Sequence, residues 1–362
     1  GIALKISAEG REIGALSGLG LPGLPASLPP IPALGPFQAD IQVMNGQGDR
    51  PTIPHLRVDL GKSDLLKVVA EGTIQDPLGP KGIALTISGD APRLEAVAEK
   101  LGTSSPIAGP LKLSAKVADA GPGRYALTGL SLNAANSDLT GEASVGLGGQ
   151  KPMVTANLAS TRVDLTKILP AEKDAPAASP RGAPAGGQKG ASDRVFSNEP
   201  LPLDALTHAN AELKYHAGEI VTRSIALKDT NVALTLREGN LAVRPLGAGV
   251  GGGQVTGDVT LAAASGALTA KLTGRSIDVG TVLKQVQGDE AVHGGPTNFD
   301  VDLRGSGKSV SALMASLDGA INFTVGAGTF SDEFTDRLGL QELLSIINKS
   351  VPRDRQTHLN CV

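Results

Sequence analysis

The sequence is poor in the residue types on which several large protein classes depend. Aromatic residues make up 2% of the 362 residues and tryptophan is absent. Outer-membrane barrels need aromatic girdles, and proteins that bind bases or sugars usually stack them on aromatic rings. A net charge of −3, with no basic block, makes nucleic acid an unexpected partner. The composition therefore disfavours a membrane barrel and a nucleic-acid-binding protein.

Cysteine and long apolar runs are also scarce. Cys361 is the single cysteine, which excludes an intramolecular disulfide framework and a metal site built from several cysteines. We expect Cys361 to be a buried strand residue, since nothing in the sequence supplies the histidine and carboxylate that a cysteine nucleophile needs. No run of 18 apolar residues and no charged leader with an apolar run is present, so neither a transmembrane helix nor a signal peptide is predicted within these residues.

Glycine and proline are plentiful instead. The chain has 47 glycines and 24 prolines, which indicates many tight turns, and its apolar residues are mostly alanine, leucine and valine. We predict a mainly β protein of roughly fifteen strands, each about five to seven residues long.

The chain repeats itself at a spacing of 74 residues. Gly-Pro at 35–36 recurs at 109–110, and Ser-Asp-Leu at 63–65 recurs at 137–139. A period this long is typical of one supersecondary unit stacked on copies of itself. The first seven residues match 82–88 at six positions. We therefore expect the chain to begin late in a repeat and to be the middle of a longer protein.

Each unit has the pattern of several strands followed by a short helix. In the first unit, 35–102, apolar and polar residues alternate over 37–43, which predicts a strand with one apolar face. Apolar residues at 94, 97, 98 and 101 then predict a helix. The second unit, 109–169, repeats this order. Asp164 and Asp278 open similar terminal turns and are predicted to cap them.

Two stretches depart from the repeat. Residues 172–194 contain no Val, Ile, Leu, Met, Phe or Tyr, so they are predicted to be a flexible linker whose deletion leaves the fold intact. This divides the chain into a β-repeat segment at 1–171, a linker at 172–195 and a second β segment at 196–362. Residues 331–350 are predicted to form a longer helix that is capped by Ser331 and carries an apolar stripe including Leu344. We expect this helix to cover one end of the sheet.

Several segments resemble the AsmA family. The similarity is carried by residues 196–206, 252–257, 309–323 and 359–361, and it is strong over 196–362 and looser over 1–171. The resemblance implies an envelope protein of Gram-negative bacteria with an N-terminal inner-membrane helix, absent from this chain, and a periplasmic body. The family's larger relatives form long β-grooves thought to carry phospholipid toward the outer membrane. It has no established catalytic residues to carry over.

The predicted fold is thus an elongated, twisted antiparallel sheet built from repeats, forming an open groove, with short helices between repeats and a longer helix near the C-terminus. One function hypothesis is that this groove binds or conducts phospholipid acyl chains. The candidate groove-lining residues are the inward members of the alternating runs: Ile41, Val43, Leu111, Leu113, Leu158, Leu213, Val259, Leu261, Leu268, Leu272, Val301, Leu303, Ile321, Phe323 and Val325.

The alternative hypothesis is a structural or interaction module, because the same alternation also builds an ordinary β-sandwich. The apolar face would then pack internally or against another envelope or membrane protein. The sequence alone leaves these two hypotheses open.

Other motifs predict no chemistry. The glycine-rich run 247–257 lacks the Gly-Lys-Ser/Thr ending of a phosphate loop and is predicted to be a tight turn. The five histidines lie in different elements without metal-ligand spacing. We therefore expect no enzyme, no cofactor and no metal site.

Overall fold

The structure is a computed structural model that describes residues 3–14, 34–46, 48, 50–79, 81–103, 105, 107–168, 200–287, 292–331 and 356–359. Its strands are β1 (Ala3–Gly10), β2 (Phe37–Asn45), β3 (Pro51–Lys62), β4 (Leu66–Asp76), β5 (Lys81–Ala91), β6 (Leu111–Asp119), β7 (Arg124–Ala134), β8 (Ser137–Gly146), β9 (Met153–Asp164), β10 (Asn210–Val221), β11 (Ala226–Arg237), β12 (Asn240–Val250), β13 (Gly253–Ala262), β14 (Ala267–Asp278), β15 (Val292–Gly294), β16 (Pro296–Ser306), β17 (Asp318–Val325), β18 (Gly328–Ser331) and β19 (Gln356–Leu359). Its helices are α1 (Leu94–Lys100), α2 (Leu165–Ile168), α3 (Val279–Gln287), α4 (Val310–Ala315) and a 3₁₀ helix (Leu203–Thr207).

Sixteen strands form one open sheet, which confirms the predicted mainly β architecture. The order is that of the chain, β1 to β14 followed by β16 and β17, and the two outer strands do not pair with each other. An antiparallel sheet was predicted, and one strand pair departs from this prediction: β9 and β10 pair in parallel. A tight hairpin cannot join parallel strands, whereas the long connection between Asp164 and Asn210 can make the crossover that parallel pairing requires.

The 74-residue repeat corresponds to a structural unit. Strands β2 to β5 precede α1, and β6 to β9 precede α2, with a Gly-Pro pair directly before β2 and before β6. The predicted caps are also present. The backbone N–H of Thr166 donates to Asp164 Oδ1 at 3.1 Å, and that of Thr281 donates to Asp278 Oδ1 at 2.9 Å.

The strands are longer than predicted. Those of the main sheet hold 8 to 12 residues, because the backbone ladder continues through glycines and polar residues where the apolar alternation stops. In β3, for example, pairing continues through Pro51 and Thr52 at one end and Gly61 and Lys62 at the other.

A second, three-stranded sheet has the order β15, β18, β19. Ser331 is the last residue of β18 rather than the cap of a helix. The rest of the predicted helix at 331–350, the predicted linker at 172–194 and Cys361 lie outside the described residues.

The short helices lie at the two rims of the main sheet, meaning the borders where the strands begin and end. Four antiparallel steps separate β5 from β9 and β10 from β14, and the step from β9 to β10 is parallel, so β5, β9 and β14 run in the same direction. Since α1, α2 and α3 follow these strands, they share one rim. β16 runs the opposite way, which places α4 at the other rim.

Buried residues lie toward these rims. Val97 and Ala98 of α1 are 5% and 6% exposed, and Leu203 of the 3₁₀ helix is 7% exposed. Asp164 directly precedes α2 and Ile277 lies two residues before α3, and each is 7% exposed. Buried residues also lie within the strands: Ser160, Ala217 and Thr230 pair across β9, β10 and β11 and are 4%, 0% and 5% exposed. The well-packed core therefore comprises the helices at the borders and this patch of the sheet.

Candidate functional site: the apolar face of the sheet

Cross-strand pairing shows which side chains share a face of the sheet, because residues directly opposite each other point the same way. Following these pairs from β1 to β17 gives a continuous row with one residue from every strand. We call it the central row, and its members are Ile6, Ile41, Leu56, Gly72, Leu85, Val117, Leu127, Ala143, Ala156, Leu213, Leu234, Val243, Val259, Ala270, Leu303 and Gly319.

Every member of the central row is aliphatic or glycine. At about 4.8 Å between strands, the row is roughly 70 Å long if measured along the sheet. None of its members is buried, and the fourteen between Ile6 and Gly319 are half-buried. Each strand keeps an aliphatic residue or glycine at this position although seven of the strand pairs contain eight register irregularities in total and β9 and β10 pair in parallel. The sheet therefore presents an uninterrupted apolar surface from one outer strand to the other.

All fifteen residues predicted from the sequence lie on this apolar face. Ile41, Leu213, Val259 and Leu303 belong to the central row, and the others flank it. Thirteen of the fifteen are half-buried, as for the row itself.

Sequence reasoning named four of the sixteen row members and missed the others, which include larger residues such as Leu56 and Leu234 as well as the alanines and glycines. Ala143, Ala156 and Ala270 occupy the same inward positions as the leucines that were predicted. The alternation of apolar and polar residues also includes these positions, but alanine and glycine contribute little to a hydrophobic pattern. Only the strand register shows that they complete the row.

The apolar face is most exposed at the two outer strands. Leu4 and Ile6 of β1 are 52% and 41% exposed, and Ile321 and Phe323 of β17 are 61% and 67% exposed. Inner strands have neighbours on both sides that shield their side chains, whereas each outer strand has one.

The opposite face is polar and carries its charges in pairs. Arg57 bonds Asp59 at 2.8 Å and Glu71 at 2.9 Å, and Arg275 bonds Asp300 at 2.8 Å. The hydrogen bond from Arg275 lowers the pKa of Asp300 below its ordinary value. These pairs are exposed and contribute little stability, but they keep the two faces chemically distinct.

Polar contacts also tie together the β9–β10 junction. At one end Lys151 bonds Glu238 at 2.6 Å, and Asn210 donates to the same carboxylate at 3.3 Å. The hydrogen bond from Lys151 lowers the pKa of Glu238. Further along the two strands, Arg162 of β9 forms an ion pair with Glu219 of β10, and the Tyr215 hydroxyl of β10 donates to Ser160 Oγ of β9 at 3.0 Å. These bonds link β9 to β10 at the junction across which the central row continues.

The remaining candidate motifs behave as structural features. Gly251 and Gly252 form the turn between β12 and β13 with φ of +52° and +75°, as predicted for the glycine-rich run. His216 Nδ1 lies 2.9 Å from Asn231 Oδ1. Across the part of the chain that is described, no group of His, Cys, Asp and Glu side chains could hold a metal ion.

Comparison with known proteins identifies the family. The AsmA family model matches residues 109–359, which is more than half of the chain and spans β6 to β19. The chain belongs to the AsmA family.

A curated relative supports the same assignment. The AsmA family protein YhjG of Escherichia coli (strain K12) is 22% identical over 318 residues, covering 83% of this chain and 45% of the relative. The chain thus spans less than half the length of that relative. No solved structure matched it. Membership of the AsmA family indicates an envelope-related function. Within the described ranges, no helix combines the length and apolar character needed to cross a membrane.

Proposed function

We propose that this AsmA family chain binds phospholipid through its acyl chains on the apolar face of the sheet. In this proposal it belongs to a periplasmic envelope-biogenesis protein, attached to the inner membrane, that conducts phospholipid toward the outer membrane. It acts as a binding and conducting surface and not as an enzyme.

The observation that carries the proposal is the central row. Sixteen aliphatic or glycine positions follow one another across the sheet, and none is buried. Burial of hydrocarbon stabilises a complex by about 0.8 kcal/mol per methylene group. Acyl chains lying anywhere along the row meet the same kind of surface, so a lipid can move along it without losing burial while its head group remains in water.

A structural or interaction module is the second candidate, with a partner protein of the envelope covering the same face. Large exposed apolar surfaces commonly mark protein or lipid contacts, and the exposed Ile321 and Phe323 fit either occupant. The two candidates differ in what the purified protein retains. A lipid-binding face should retain phospholipid without any protein partner.

The test is to purify the chain from a Gram-negative host and identify bound lipid by native mass spectrometry. Two variants in β11 provide a matched pair, because Leu234 lies in the central row and Thr235 points to the polar face. Both introduce one negative charge at neighbouring positions. We expect phospholipid on the parent chain and on Thr235→Glu, and at least a tenfold lower occupancy on Leu234→Glu.

Circular dichroism and thermal melting of both variants show whether the sheet is retained. Absence of phospholipid from the folded parent chain would contradict the proposal. Equal lipid occupancy in the two folded variants would place the lipid elsewhere on the molecule.

A further inference from the structure

Exposed apolar side chains are concentrated at one rim of the sheet. We call it the α4 rim, because it holds α4 together with the ends of β2, β4 and β8 and the beginnings of β1, β5 and β9. Among the described residues, eleven large apolar side chains are exposed, and the opposite rim has one of them, Leu101 after α1. Seven lie at the α4 rim: Leu4, Met44 and Val154 near strand ends, Val310 and Met314 on α4, and Leu78 and Leu147 in turns.

Leu78 and Leu147 protrude most at this rim. They are 80% and 55% exposed, and each lies in the last hairpin turn of a repeat unit, between β4 and β5 or between β8 and β9. The two turns are four strand positions apart, which is about 19 Å along the sheet. An exposed leucine therefore recurs at the same place in both units.

The backbone of each turn is held in place while the leucine side chain points into solvent. The Asp76 carboxylate accepts the backbone N–H groups of Leu78 at 3.2 Å and Gly79 at 3.1 Å. The backbone N–H of Leu147 donates to the carbonyl oxygen of Gly123, in the neighbouring turn, at 2.7 Å. Both leucines are thus presented outward on hydrogen-bonded turns.

A basic side chain accompanies each of these leucines. Lys81 begins β5 three residues after Leu78. Arg124 begins β7 and pairs with Gly146, the residue directly before Leu147. Lys81 and Arg124 are both exposed.

The carboxylates of this stretch are already engaged. Asp76 also bonds Arg50 at 2.8 Å, and Asp119 accepts the backbone N–H of Ile83 at 2.7 Å. At the opposite rim, Leu101 instead follows an adjacent Glu-Lys pair at 99–100. An exposed leucine next to a basic group is therefore a feature of the α4 rim.

We propose that the α4 rim, at the β4–β5 and β8–β9 turns, is a contact surface for a bilayer that contains anionic phospholipid. Leu78 and Leu147 insert below the head groups, and Lys81 and Arg124 bind head-group phosphates. Apolar side chains combined with basic ones bind anionic membrane surfaces in this way. This contact is distinct from the binding of acyl chains on the apolar face and does not depend on it.

The isolation of the two leucines favours a bilayer over a partner protein. Leu78 and Leu147 are each followed by glycine, and each is the only Leu, Ile, Val, Met or Phe of its turn. A protein interface needs a contiguous core of buried side chains, which single leucines on separate turns do not form. A bilayer accepts each protruding side chain separately.

The absence of tryptophan from the sequence allows a direct test. Leu78→Trp and Leu147→Trp each introduce a unique fluorophore, and Leu101→Trp is the matched control at the opposite rim. The vesicles contain phosphatidylglycerol and phosphatidylcholine in equal parts, with brominated acyl chains that quench an inserted tryptophan. Vesicles of brominated phosphatidylcholine alone test the need for anionic lipid, and circular dichroism verifies that each variant is folded.

We expect the anionic vesicles to reduce emission at positions 78 and 147 roughly twofold or more, with little change at position 101 and little change on phosphatidylcholine alone. The double variant Lys81→Glu with Arg124→Glu should raise the lipid concentration for half-maximal quenching about tenfold. Lys62→Glu with Lys100→Glu, two exposed lysines of the opposite rim, should leave that concentration unchanged.

The absence of quenching at either turn, or equal quenching at position 101, would overturn the proposal. Equal effects of the two charge-reversed pairs, or equal quenching on phosphatidylcholine alone, would overturn the role of anionic lipid. Adding Leu234→Glu separates this contact from lipid uptake on the apolar face. We expect quenching to persist in that background, and its loss would mean that the rim makes no membrane contact of its own.

Discussion

The rims and the middle of the apolar face differ in how they are packed. At the rims, short helices accompany residues such as Val97 and Leu203 that are 5% and 7% exposed. In the middle, the central row is equally apolar, yet none of its members is buried. Apolar sequence alone therefore does not mark the core of this protein. The rims and the patch of Ser160, Ala217 and Thr230 supply the tight packing, and the central row keeps its apolar surface available.

A charge placed at a rim should have the largest effect on stability. Val97→Asp introduces a carboxylate without a partner into the buried side of α1, and we expect it to lower the free energy of unfolding by about 3 kcal/mol or more. Urea unfolding followed by circular dichroism measures this. The control is Lys100→Asp on the exposed side of the same helix, which should change stability by less than about 1 kcal/mol. Equal losses in both variants would contradict a rim core.

The same charge in the middle should cost less stability. Val259→Asp alters a half-buried position of the central row, where water reaches the new carboxylate, so we expect a loss of about 1–2 kcal/mol together with loss of bound phospholipid. Urea unfolding and native mass spectrometry measure the two effects. A stability loss as large as that of Val97→Asp would mean that the middle is a packed core after all.

Much of this organisation could be predicted from the sequence. The alternation over 37–43 correctly predicted a strand with one apolar face, and the 74-residue repeat correctly predicted the unit of strands and terminal helix. The parallel β9–β10 pair could not be predicted, because no local pattern specifies which strand follows a long connection. The bulged strands were also hidden, since a bulge changes the pairing register and leaves little trace in composition.

Acid should lower the stability contributed by the rims and by the β9–β10 junction. It should leave the contribution of the middle unchanged, because the central row has no titratable side chain. The Thr166 hydroxyl donates to Asp164 Oδ1 at 2.5 Å and lowers the pKa of that carboxyl, and Lys151 lowers the pKa of Glu238. A carboxyl group with a lowered pKa stabilises the folded state above its unfolded pKa of about 4 and loses this contribution as the pH falls further.

We therefore expect the melting temperature to be nearly constant between pH 7 and pH 5 and to fall below about pH 4. Asp164→Asn should have a lower melting temperature at pH 7 and a shallower decline in acid. A parallel decline in the variant and the parent chain would show that Asp164 contributes nothing to the acid response.

The smallest expected effect comes from a single buried hydroxyl. Thr230 is 5% exposed, and its Oγ1 has no hydrogen-bond partner among the described residues. Thr230→Val keeps the shape and removes the unpaired group, so we expect stability to rise by about 0.5–1 kcal/mol. The control is Thr269→Val on the polar face, where the hydroxyl lies 2.6 Å from that of Thr260 and no gain is expected. A loss of stability in Thr230→Val would reveal a partner for this hydroxyl.

Site-specific photocrosslinking tests the central claim most directly. A photoreactive amino acid is placed at Leu213 in the central row or at its neighbour Lys214 on the opposite face, and the chain is irradiated with phospholipid present. We predict a covalent lipid adduct, identified by mass spectrometry, at position 213 and little or none at position 214. Adducts of equal yield at both positions, or none at 213 in the folded protein, would contradict an apolar face that binds acyl chains.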